Sequence, residues 1–108
     1  MIMVMLRQLL KKERILFLEI FVRKTPKCHF CEEAKDWIRT NLPSVEVVEY
    51  SIDNNSKDLG RWSEFLLLHP NVVSVPQVMA NMDNGSRCYV GGISELPNAF
   101  YVTKLEEV

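Results

Sequence analysis

The chain has 108 residues, with 13 Lys and Arg against 14 Asp and Glu, for a net charge of −1. That length suits one domain, taken here as 1–108, with a real core but no room for a second. Its 47% hydrophobic and 25% charged residues argue against a disordered chain and against a membrane protein, and the interleaved signs leave no basic footprint for nucleic acid.

Met1 to Arg14 places Ile2, Met5, Leu6, Leu9 and Leu10 close to a helical stripe, which predicts a short N-terminal helix (1–14) leaning on a core of 15–108. Arg7, Lys11, Lys12 and Arg14 follow the apolar start instead of preceding it. A secretory signal has the reverse order, so a reducing, cytoplasmic setting is expected. Ile15 to Val22 is rich in β-formers and nearly continuously apolar, as in a central strand buried on both faces. Arg23 to Lys27 is a basic loop containing Pro26.

Cys28-His29-Phe30-Cys31 comes next, directly before a helix predicted over Glu32 to Leu42, with Ala34, Trp37, Ile38 and Leu42 on one face and Pro43 as the stop. Val45 to Ile52 reads as a second strand and Asp53-Asn54-Asn55-Ser56 as a turn. Lys57 to His69 reads as a second helix with Leu59, Trp62, Phe65, Leu66 and Leu68 toward the core and Pro70 ending it. Gln77 to Met82 is a third strand, Asp83-Asn84-Gly85 a hairpin turn, and Arg87 to Val90 a fourth strand. Ser94 is the expected N-cap of a last short helix. The order (α)βαβαββα predicts an α/β fold: a mixed four-stranded sheet flanked by helices.

The cysteine pair carries the chemistry. At a strand-to-helix junction the first sulfur meets unpaired backbone N–H groups and the positive end of the helix dipole, and both favour the thiolate. Cys28 is therefore the expected nucleophile. Cys31, inside the first turn, should be more buried and suits the resolving role. Three cysteines cannot form a disulfide framework, and without a second Cys pair no zinc ribbon within one chain is expected. The odd thiol, Cys88, is expected to be buried in its strand. His29 reads as a solvent-facing residue that tunes the thiol. His69 reads as a helix C-terminal cap, and Trp37 and Trp62 as core.

Three separated pieces agree: Cys28-x-x-Cys31 after strand one, Ser74-Val75-Pro76 before strand three, and Gly91-Gly92-Ile93-Ser94-Glu95-Leu96 after strand four. Together they resemble glutaredoxin, the small glutathione-dependent branch of the thioredoxin superfamily, from Ile15 to the C-terminus. The chain departs from the family's Cys-Pro-Tyr-Cys in its middle pair, His29-Phe30. Thr25 stands where the family has a lysine, with Lys24 and Lys27 on either side.

The resemblance implies a thioredoxin-like fold and a thiol–disulfide oxidoreductase that uses glutathione as co-substrate, with no obligatory metal. Cys28 and Cys31 would form the redox-active disulfide. Glutathione would meet Lys24 or Lys27, the Phe30 wall, the backbone of Val75 before a cis Pro76, and Gly92, Ile93 and Ser94. Implied partners are glutathione and disulfide-containing or glutathionylated proteins, with no nucleic acid or membrane and with a monomer expected. Two other readings stay open. One is a 2Fe–2S carrier ligated by Cys28 and glutathione, since some glutaredoxins lacking the active-site proline hold such clusters. The other is a glutaredoxin-like electron donor reduced by thioredoxin reductase.

Overall fold

The computed structural model describes residues 14–54 and 56–99, so the helix expected over 1–14 lies outside them apart from Arg14. The described elements run β1 (Ile15–Val22), α1 (His29–Asn41), β2 (Glu46–Ser51), α2 (Leu59–Leu68), β3 (Gln77–Met82) and β4 (Arg87–Gly91). They build a four-stranded sheet in the order β2-β1-β3-β4. β1 pairs parallel with β2 and antiparallel with β3, and β3 pairs antiparallel with β4. The mixed sheet read from the element order is present, with β1 at its centre.

Why β1 is apolar along its length follows from its place. Both edges of the strand are hydrogen-bonded, and both faces are covered from Leu18 to Val22. Only its start is open, where Leu16 is exposed. Alternation sends Leu18, Ile20 and Val22 to one face and Phe17, Glu19 and Phe21 to the other.

α1 covers the first face. Its buried residues Cys31, Ala34 and Ile38 recur at helical spacing, making one apolar stripe. Ile38 and Leu42 share a groove with Val45 and Val47, and Val47 is in register with Leu18. α2 covers the second face, where the ring of Phe21 lies 5.3 Å from Trp62 and 5.1 Å from Phe65. Tyr50, beside Phe21 on β2, completes that aromatic layer at 5.2 Å.

Several boundaries and burials differ from the sequence reading. α1 starts three residues earlier than expected, and α2 starts later, after Asp58. The Asp58 carboxylate does not cap its helix. It accepts the Ser51 N–H at 3.0 Å instead, holding the end of β2. Leu68, expected in the core, is 68% exposed, whereas Phe65 three positions earlier is buried against the sheet. Cys88 is half-buried, in line with its place on an edge strand. His69 does end α2, its backbone N–H bonded to the Phe65 carbonyl.

The last turn begins earlier than Ser94. The Gly92 carbonyl accepts from both Glu95 and Leu96 N–H groups at 3.1 Å, and the Glu95 carboxylate reaches back to the Gly92 N–H at 2.8 Å. That is one half of a capping box, with Gly92 in the cap position and Ser94 already inside the turn. Helical geometry is described over 96–99.

One charged side chain sits in the middle of the sheet. Glu19 is 4% exposed and accepts hydrogen bonds from Tyr50 Oη at 2.9 Å, Asn81 Nδ2 at 2.9 Å and Arg87 Nη2 at 2.8 Å. Burial pushes its carboxyl up. The bonds from Asn81, Arg87 and Tyr50, with the Arg87 charge, outweigh that and hold it below the usual glutamate range.

Candidate active site

The register gathers the site at one end of the sheet. Val22 pairs with Ser51, Phe21 with Gln77, and Val78 with Gly91. The chain leaving β1 toward Cys28, the turn leaving β2, Pro76 entering β3 and Gly92 leaving β4 therefore all lie at that end. These segments are far apart in sequence, and the topology alone brings them to one place.

Cys28 is the N-cap of α1, in extended conformation at φ −103° and ψ 110°. Its carbonyl accepts the Glu32 N–H at 3.1 Å, closing the first helical bond. Its Sγ accepts the Cys31 N–H at 3.2 Å. A sulfur thus takes the part that a Ser or Asp oxygen usually plays at a helix start. The two cysteines form a disulfide with Cα atoms 5.2 Å apart. Cys31 is 0% exposed and belongs to the core, whereas Cys28 is only partly buried. The two sulfurs therefore differ in access as the sequence reading expected.

The middle pair faces out. Phe30 is 57% exposed. The His29 imidazole Nε2 lies 2.8 Å from Glu33 Oε2, one turn along α1, and its ring meets Phe30 edge-on at 5.7 Å. Neither ring is needed to pack α1 on the sheet.

The basic loop is exposed throughout. Lys24 Nζ lies 3.6 Å from Glu49 Oε2, a carboxylate that also receives Lys35 Nζ of α1 at 3.4 Å. Lys27 makes no ion pair among the described residues. Val75 and Pro76 are buried, and the peptide between them is cis, as is Thr25–Pro26. Gly92 packs so closely on this turn that a Cβ there would lie 3.0 Å from the Pro76 carbonyl oxygen. Ile93 is partly buried against the core and Ser94 is exposed.

Three residues at this end escaped the sequence reading: Glu49, Asp53 and Glu95. In the sequence Asp53 is one polar member of a turn, and Glu49 one position of the second strand. Their partners in the basic loop, Lys24 and Thr25, lie 25 to 29 positions back along the chain, so no local signal marks that link. Glu95 could have been found, since a glutamate three residues after Gly92 has capping-box spacing.

A mixed sheet in this order, with a dithiol pair opening the helix after the central strand, defines a thioredoxin-like fold. The glutaredoxin family model matches residues 18–83, more than half of the sequence, and the chain belongs to the glutaredoxin family. Members of that family are typically thiol–disulfide oxidoreductases that use glutathione. No curated protein matches the chain. Among the described residues no three His, Cys, Asp or Glu side chains gather as metal ligands, and no helix is long and apolar enough to cross a membrane.

Proposed function

We propose that this protein is a glutathione-dependent thiol–disulfide oxidoreductase, a single domain that reduces protein disulfides or glutathione mixed disulfides. The observation that carries the reading is the asymmetry of the pair. Cys28 Sγ sits at the helix start with an N–H aimed at it, while Cys31 is sealed in the core. An N–H donor and the helix dipole both stabilise a thiolate over a thiol, and the thiolate is the attacking species.

With a glutathione mixed disulfide, the Cys28 thiolate attacks the glutathione sulfur and the reduced protein leaves as a thiolate. A second glutathione thiolate then attacks glutathionylated Cys28, giving oxidised glutathione and restoring the Cys28 thiolate. With a protein disulfide, Cys28 forms a mixed disulfide and releases one substrate thiolate. Cys31, once deprotonated, displaces the other and closes the Cys28–Cys31 bond, and two glutathiones later reopen it.

Glutathione is assigned to the surface beside Cys28. Lys24 or Lys27 would meet a carboxylate, and Phe30 would supply an apolar wall. The Val75 backbone next to Pro76 would pair with the extended tripeptide, and Gly92, Ile93 and Ser94 would receive the other carboxylate. Support comes from the shared end of the sheet and from the tight Pro76–Gly92 contact.

The test is glutathione-coupled reduction of a small glutathione mixed disulfide by wild type, Cys28→Ser and Cys31→Ser. Turnover by wild type and Cys31→Ser, with none from Cys28→Ser, is expected. A wild type inactive with glutathione overturns the reading and leaves reduction by thioredoxin reductase, or cluster carriage, to account for the same pair.

A further inference from the structure

The basic loop between β1 and Cys28 belongs to no helix or strand, yet it is fastened. Asp53, in the turn after β2, takes the Lys24 N–H on Oδ2 at 3.1 Å and the Thr25 N–H on Oδ1 at 3.3 Å. Both carboxylate oxygens thus grip successive amides of a segment 28 and 29 positions earlier in the chain.

The grip is itself held. Ser51 Oγ donates to Asp53 Oδ2 at 2.8 Å, and the Asp53 N–H donates back to Ser51 Oγ at 3.2 Å. Below, the Ile52 N–H bonds the Val22 carbonyl at 2.9 Å, so the turn rides on the end of β1. The Ser51 hydroxyl lowers the Asp53 carboxyl, burial opposes it, and the two loop amides and the Arg23 charge help hold it below the usual aspartate range. The carboxylate is therefore ionised wherever thiol exchange runs. A second tether acts on the side chain. Glu49 of β2 holds Lys24 Nζ and Lys35 Nζ together, and Lys35 also meets Glu32 in the first turn of α1 at 3.2 Å.

We infer that Asp53 is a positioning residue for the Cys28 site. It fixes the backbone of loop 23–27 so that Lys24 or Lys27 stands ready for one carboxylate of glutathione. It acts on capture of the ligand and leaves sulfur exchange alone, because the donor to Cys28 Sγ is the Cys31 N–H inside α1. The inference rests on the glutathione-dependent reading above.

The experiment is steady-state reduction of a glutathione mixed disulfide by wild type, Asp53→Ala, Asp53→Asn and Ser51→Ala, with a thermal melt of each. The expected result is a KM for the mixed disulfide raised about tenfold in Asp53→Ala, the scale of one lost charge-assisted hydrogen bond, with kcat within about twofold. Asp53→Asn keeps one acceptor oxygen and should rise less, as should Ser51→Ala. Once Lys24 and Lys27 are both replaced by Ala, Asp53→Asn should raise KM no further, a coupling that a merely structural tie would not produce.

Folded Asp53 variants with an unmoved KM, or with kcat falling in place of KM, overturn the inference while the activity reading stands. If Asp53→Ala fails to fold, Asp53→Asn and Ser51→Ala decide by the same criterion. A wild type without glutathione turnover overturns the activity reading and this inference with it.

Discussion

A methyl group on Gly91 would lie 2.8 Å from the Cβ of Glu95 and 2.9 Å from its Cγ. Gly91 also holds φ at +112°, where side chains are strained. Gly91→Ala should therefore cost about 1–3 kcal/mol through both effects, read as a lower midpoint in denaturant melts. Gly60 is the control: it lies in α2 with nothing within 4 Å of an added Cβ. Gly60→Ala should stabilise by up to about 1 kcal/mol.

Glu19 makes stability depend on pH. Its folded carboxyl is held below the usual range, so the unfolded chain takes up the proton first as pH falls. The contribution is present above the unfolded glutamate value and is lost as pH drops through the lower folded one. The melting temperature of wild type should fall steeply below about pH 4.5. Glu19→Gln should melt lower at neutral pH and show a shallower acid slope. Equal slopes for the two proteins would refute this account.

The aromatic layer under α2 should dominate its attachment. Phe65 is buried among Phe21, Trp62 and His69 rings at 4.7–5.4 Å. Phe65→Ala should cost about 3–5 kcal/mol. Leu67, two positions on and 82% exposed, should accept Lys within about 0.5 kcal/mol. Urea unfolding of both variants makes the comparison.

In the reduced protein at neutral pH, iodoacetamide should modify Cys28 first. Cys31 is sealed in the core, and Cys88 is half-buried on β4 without a helix start to favour its thiolate. Peptide mapping after a short exposure tests the order. Prior labelling at Cys31 or Cys88 would contradict the asymmetry on which the mechanism depends.

The elements were legible because their signals are local. The apolar run of β1, the stripe at Cys31, Ala34 and Ile38, and the Asp83-Asn84-Gly85 turn each write their structure into neighbouring positions. The cysteine pair was legible for the same reason, since its spacing and its place before a helix describe its chemistry. Leu68 misled because helix periodicity allows a broader apolar stripe than the sheet has room to cover. Ser94 misled because the cap was supplied by the Gly92 backbone and a glutamate reaching backward. Asp53 and Glu49 stayed hidden because their meaning is conferred by β1 and β2 lying side by side.

That same adjacency gives Glu19 a further consequence. Its one carboxylate touches Tyr50 of β2, Asn81 of β3 and Arg87 of β4, so every other strand of the sheet reports to it. Side chains alternate between faces, and sliding any strand by one position would swing its donor to the opposite side. The carboxylate works as an alignment pin: the observed register brings all three donors to it, and a pairing that removed them would strand a charge in the interior.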